Sequence, residues 1–269
     1  MLDKDSFIVL GAQDPEMREI EHLLESDRRS WLHAACGRQR CSSKTAYDAD
    51  ATVRLGRDGV ARAAVLPPKA AAVFVECTVR SREPALRVDH HHPGDPGYAM
   101  PPERYLEGSS LGQMLRLLER EPTETQRLLA AADHCLTAAY QGECPGVDPD
   151  ELLFLRASWQ AKISGRTLSD VIDGILDASK RVRRHYDSEF AESRFLDPTR
   201  VPKDLAEGAA HAGVPVRYRA LLPDGTLKEM VKGASPEGIG RFIAEHEAAG
   251  RPTYGNPHRG YAGSYWPAG

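Results

Sequence analysis

S-F-I-V-L-G, residues Ser6–Gly11, runs directly into A-Q-D-P-E-M-R-E-I-E-H-L-L-E, residues Ala12–Glu25. The first stretch is a short apolar run closed by glycine. In the second, Met17, Ile20, Leu23 and Leu24 recur with the spacing of one helix face, and Pro15 sits in the first turn, where a missing N–H breaks no helical bond. A buried strand feeding an amphipathic helix opens an α/β domain. Asp14 and Glu16 then stand at the start of that helix.

Two further apolar runs follow the same plan. A-A-A-V-F-V-E-C, Ala70–Cys77, ends on Glu76, and A-L-R-V, Ala85–Val88, ends on D-H-H-H, Asp89–His92. Open parallel α/β sheets bind ligands beyond the carboxyl ends of their strands. The three polar clusters should therefore converge. Helical segments are expected at Ser109–Arg120 and Glu124–Tyr140, and the second carries Asp133 among small apolar residues. Buried there, Asp133 needs a partner or a metal; on the polar face beside Gln126 and Arg127 it is solvated.

One or two more helices are expected between about 149 and 193. F-L-D-P-T-R-V-P-K-D, with Pro198 and Pro202, reads as a linker, which places a domain boundary near 195. Beyond it, V-P-V-R-Y-R-A-L-L-P-D-G-T-L-K-E-M-V-K-G reads as a hairpin turning at Asp224-Gly225. A helix and a glycine-rich tail complete the chain. The expectation is an α/β protein with a parallel-sheet N-terminal domain, 1–194, with helices on both faces, and a smaller α/β domain, 195–269.

The 269 residues are 41% hydrophobic and 28% charged, with a formal net charge of -4. Without a global basic field, long nucleic acid is not a favoured ligand. Only 7% of residues are aromatic, which also favours small ligands over stacked strands. No apolar run has the length of a membrane span, and the acidic start M-L-D-K-D lacks the features of a signal peptide. A cytoplasmic location is expected. The five cysteines, at 36, 41, 77, 135 and 144, show no Cys-x-x-Cys framework, so neither a disulfide scaffold nor a zinc ribbon is indicated. Phosphate-loop, H-E-x-x-H and G-x-G-x-x-G motifs are absent from the sequence.

Carboxylates mixed with imidazole suit Mn²⁺, Mg²⁺, Fe²⁺ or Zn²⁺, and the mixture argues first for Mn²⁺. Such ions activate water and stabilise charge in phosphoryl displacement. Asp-His-His after a buried strand resembles the signature of the DHH phosphoesterase superfamily, which includes RecJ-like nucleases, nanoRNases, cyclic-dinucleotide phosphodiesterases and family II pyrophosphatases. G-A-Q-D-P-E-M-R, Glu76 in V-F-V-E-C, and Asp133 in L-L-A-A-A-D-H occupy the places of its other motifs in order. Ser109-Ser110 resembles its serine pair. Y-G-N-P-H-R-G-Y-A-G-S-Y, Tyr254–Tyr265, is similar to the substrate-gripping loop of the DHHA1 domain.

The resemblance implies that Asp14, Glu16, Glu76, His90 and Asp133 ligate one or two Mn²⁺ or Mg²⁺ ions. It implies that His91 contacts phosphate, that Asp89 orders the loop, and that Ser109, Asn256, His258, Arg259 and Gly260 hold the substrate. Ala12, Glu16, Arg18 and Glu76 depart from the family pattern; Arg18 could stand as a fixed charge in place of an ion. The expected function is metal-dependent hydrolysis of a small phosphorylated molecule or short nucleotide in a cleft between the domains. The alternatives are a nucleotide-binding protein without turnover and a different metal-assisted reaction. No membrane partner is expected, and a homodimer remains open.

Overall fold

The computed structural model describes residues 2–3, 6–56, 58–67 and 70–267, so Met1, Lys4 and Asp5 of the acidic start lie outside it. Its contacts divide the chain into two compact units, Met1–His134 and Cys135–Gly269.

The first unit runs β1 (Phe7–Leu10), α1 (Pro15–Ser26), β2 (Trp31–Cys36), β3 (Gln39–Arg40), β4 (Ala51–Leu55), β5 (Ala61–Ala63), β6 (Ala72–Val75) and β7 (Leu86–Val88). Helices α2 (Tyr105–Gly108), α3 (Ser110–Leu117) and α4 (Glu124–Tyr140) follow. The strand order is β5-β4-β2-β1-β6-β7, with β3 also paired to β2. β2, β1, β6 and β7 are parallel, in the register Leu10 with His33, Leu10 with Val75, and Val75 with Val88. The sheet is mixed rather than wholly parallel, because β3, β4 and β5 join antiparallel. Gly37, at φ 61, turns the chain back immediately after β2, too soon for a crossover helix.

β1 and β6 read as continuous apolar runs because both faces are buried. On one face Val9, Ala34, Ala72 and Phe74 pack with Cys41, Ala46, Ala49, Cys77 and Val79 from connecting segments. The expected cover of that face by helices is thus replaced by loop residues and one short 3₁₀ turn, Ala46–Asp48. Residues of the other parity, Ile8, Leu10, Val73 and Val75, are buried as well. The division between the units falls within α4, whose backbone leaves helical geometry at Cys135, φ -151 and ψ 55, directly after Asp133 and His134.

The second unit continues with α5 (Pro149–Ser164), α6 (Leu168–Arg184), β8 (Tyr186–Asp187), β9 (Glu192–Phe195), α7 (Leu205–Ala212), β10 (Val216–Leu221), β11 (Thr226–Lys232), α8 (Pro236–Ala248), β12 (Thr253–Asn256) and β13 (Tyr261–Pro267). Its sheet, ordered β12-β13-β11-β10-β9-β8, is antiparallel except between β9 and β10. The boundary expected near 195 falls inside this unit, in the connection from β9 to α7. α6 and α7 pack together, and Val182 of α6 shares a core with Leu205 and Ala209 of α7 and Val216 of β10. The hairpin expected at Asp224-Gly225 is formed by β10 and β11, with Gly225 at φ 81. The tail expected as a glycine-rich loop is a second hairpin, β12 with β13.

Candidate metal centre

Three strand ends assemble the site. β1 leads through Gly11 to Asp14 and Glu16, β6 ends at Glu76, and β7 ends at Asp89. From β1 the chain passes through α1 to β2 on one side, whereas β6 continues to β7 on the other. The crevice where strand order reverses is the usual ligand position of an open α/β sheet. Gly11 is required there: a Cβ would lie 2.3 Å from the carbonyl oxygen of Glu76. Glu76 itself holds φ at 50°, a conformation disfavoured for a residue with a side chain.

Glu16, Glu76, His90 and Asp133 each place one ligand-type atom within 4.8 Å of the others, and Glu76, His90 and His91 form a second, overlapping group. His90 Nε2 lies 2.9 Å from Asp133 Oδ2 and 3.3 Å from Glu76 Oε1. Glu16 accepts a 2.9 Å hydrogen bond at Oε1 from the Leu111 N–H at the start of α3, while its buried Oε2 has no hydrogen-bond partner among the described residues. An oriented, unsatisfied carboxylate oxygen inside a cluster of acids is costly without a cation. The donor set, three carboxylates and one imidazole, therefore fits a hard or borderline divalent ion.

Electrostatics point the same way. Burial, followed by the charges of Asp133 and Glu76, pushes Asp14 up to about 7. Burial and the same neighbours hold Glu16 well above the ordinary carboxylate range. Asp14 lies beside the four-residue group rather than in it. Its Oδ1 accepts from the Met17 N–H at 2.7 Å, capping α1.

Asp89 is fully buried and organises the loop rather than facing the cluster. Its Oδ1 accepts from the backbone N–H groups of His90 and His91 at 2.7 and 3.1 Å, and contacts His91 Nδ1 at 2.9 Å. The Tyr47 hydroxyl donates to the same carboxylate at 3.0 Å. Burial raises the Asp89 pKa, but His91 and these N–H groups outweigh it, and the carboxyl titrates below its usual value. His91 is thereby fixed with its ring edge-on to His90, centroids 4.6 Å apart. His92 turns outward, mostly exposed, near Asp95.

Ser109 caps α3, its Oγ accepting from the Gly112 N–H at 3.0 Å. Asn256, His258, Arg259 and Gly260 belong to the second unit, where they form the turn from β12 to β13. Asn256 Oδ1 accepts from the N–H groups of His258 and Arg259 at 3.0 and 3.1 Å, and Gly260 adopts φ 66.

Four contributors were not singled out from sequence. Tyr47 and Gln113 anchor Asp89, the latter donating from Nε2 to the Asp89 carbonyl at 3.1 Å. Arg40 reaches the Gly11 carbonyl at 3.3 Å and pairs with Glu21 at 2.8 Å, bringing a cation near Asp14. His134 contacts His90, Nδ1 to Nδ1, at 3.0 Å. Only His134 carried a sequence signal, as the imidazole beside Asp133.

Comparison with models of protein families finds no match, and comparison with curated protein sequences finds none. Among the described residues, no helix is long and apolar enough to cross a membrane.

Proposed function

We propose that the first unit is a divalent-metal-dependent phosphoester hydrolase of the DHH type, acting on a small phosphorylated molecule or short nucleotide. The observation that carries this reading is the convergence of Glu16, Glu76, His90 and Asp133 within 4.8 Å at the carboxyl ends of parallel strands. These four residues would hold Mn²⁺, or Mg²⁺. A bound ion would lower the pKa of water and neutralise charge developing on phosphoryl oxygens.

The chain's own groups supply orientation. Asp89, clamped by Tyr47 and Gln113, aims the two imidazoles: His90 toward the acids and His91 beside it. With Nδ1 hydrogen-bonded to the Asp89 carboxylate, the His91 ring is held in one orientation and would contact a phosphate oxygen. Net charge and aromatic content favour a small substrate.

One observation favours a second reading, nucleotide binding without turnover. Arg40 places a fixed cation near Asp14, whose Oδ1 is committed to the helix cap, in the region where the DHH pattern would use ligands that Ala12 and Arg18 do not supply. Mn²⁺-dependent phosphate or nucleotide release decides between them, measured on mononucleotides, dinucleotides and sugar phosphates with wild type beside His90→Ala. Release that requires Mn²⁺ and falls at least tenfold in the variant supports hydrolysis. Nucleotide binding without release selects the second reading.

A further inference from the structure

His134 is not part of the four-residue group, yet it is wired to it. Its Nε2 lies 2.8 Å from the carbonyl oxygen of Met100, and its Nδ1 lies 3.0 Å from His90 Nδ1. The two rings stack at 21° with centroids 5.3 Å apart. Space for the second ring is created at Gly108, where a Cβ would sit 2.4 Å from His134 Cε1 and Nε2.

A carbonyl oxygen can only accept, so His134 donates from Nε2 to Met100. Its Nδ1 is then the acceptor for His90 Nδ1–H, which leaves His90 Nε2, the atom that faces Glu76 and Asp133, as the nitrogen through which an ion can bind.

We propose that His134 is the positioning residue that keeps His90 Nε2 open for a divalent ion, relaying the Met100 carbonyl through one imidazole into another. The inference rests on the reading that the cluster holds such an ion. Metal-ligating histidines commonly have their second nitrogen fixed by a carboxylate, a carbonyl or water; here a neutral histidine interposed before the carbonyl does so. The arrangement needs three features at once: histidine at 134, glycine at 108 and an unhindered carbonyl at 100.

The test is Mn²⁺ affinity, followed by the EPR signal of the free ion, in wild type, His134→Phe and His134→Asn. Phenylalanine keeps the stacked ring and its packing at Gly108 but offers no acceptor; asparagine restores an acceptor oxygen near the position of Nδ1 without the ring. The expected result is a roughly 10–100-fold loss for phenylalanine and recovery to within roughly threefold of wild type for asparagine. In Zn²⁺-loaded wild type, ¹⁵N NMR of histidine should show His90 protonated at Nδ1 and bound through Nε2. Wild type that binds no metal overturns both this inference and the reading beneath it. Wild type and His134→Phe that bind equally overturn this inference alone, as does an Asn variant no better than Phe or a His90 bound through Nδ1.

Discussion

Asp14→Asn removes one charge from the acid cluster while retaining an oxygen that can accept from the Met17 N–H, because asparagine caps helices about as well as aspartate. In the ion-free protein this substitution should be stabilising. Burial and the charges of Asp133 and Glu76 raise the Asp14 pKa from 3.8 to about 7. A folded-state pKa above the unfolded value means that ionisation opposes folding. Stability from the neutral carboxyl is full below pH 3.8 and is lost as pH rises to about 7. About three pH units at about 1.4 kcal/mol each set a scale of about 4 kcal/mol. Relaxation of the neighbouring acids makes about 2–4 kcal/mol the reasonable expectation at pH 8.

Thermal unfolding in EDTA should therefore give the variant a Tm higher by roughly 5–10 °C at pH 8, with little advantage at pH 4. Saturating Mn²⁺ should erase most of the difference, since a bound cation relieves the same repulsion in wild type. A variant that is neutral or destabilised at pH 8 in EDTA, or a wild type without falling stability between pH 5 and 8, would show that the acids are not held in mutual repulsion.

Tyr47→Phe removes the hydroxyl donated to both Asp89 oxygens at 3.0 Å; hydrogen bonds to charged groups suggest a loss of about 2 kcal/mol, read from the urea midpoint, and a change under about 0.5 kcal/mol would deny the clamp. Gly11→Ala should press a Cβ onto the Glu76 carbonyl, costing about 1–3 kcal/mol and weakening Mn²⁺ binding; unchanged affinity would mean that Glu76 does not need its present position. In the second unit, Arg156 engages buried Glu207 through Nε at 2.9 Å and Nη2 at 2.6 Å. Arg156→Met should cost about 3–5 kcal/mol at pH 7. Burial raises the Glu207 pKa, but Arg156 and Tyr140 outweigh it and hold the carboxyl below its ordinary value. Its stabilisation is thus present above pH 4.5 and lost as pH falls below, a dependence that the Met variant should lack in acid titrations.

The fold was legible where a strand ran uninterrupted into polar residues. β1 and β6 are short apolar runs, β7 is the shorter Leu86-Arg87-Val88, and the segments that follow them deliver Glu16, Glu76 and His90 to one crevice. The strand β2, W-L-H-A-A-C, was less visible because Arg29 and Ser30 precede it, a tight turn follows, and its His33 is buried through Glu21, 3.1 Å away, rather than through apolarity. β12 and β13 contain glycines that lower strand propensity. Tertiary packing requires them: a Cβ at Gly255 would meet that of Ala262 at 2.7 Å, and one at Gly263 would meet the Tyr254 hydroxyl at 2.4 Å. The boundary near 195 followed the prolines, which mark a loop between β9 and α7; the helical core around Val182 and Leu205 joins the segments on either side of it. Tyr47 and Gln113 could not be read at all, since each serves the site through contacts with residues 42 and 24 positions away.

Glu16, Glu76, His90 and Asp133 are proposed to form a divalent-ion site. An equilibrium titration of wild type and Glu76→Gln with Mn²⁺, monitoring the free ion, tests it most directly. Saturable, stoichiometric binding to wild type, weakened at least tenfold by a substitution that changes one oxygen to an amide nitrogen, is the predicted result. Absence of saturable binding, or equal binding by both proteins, would contradict it.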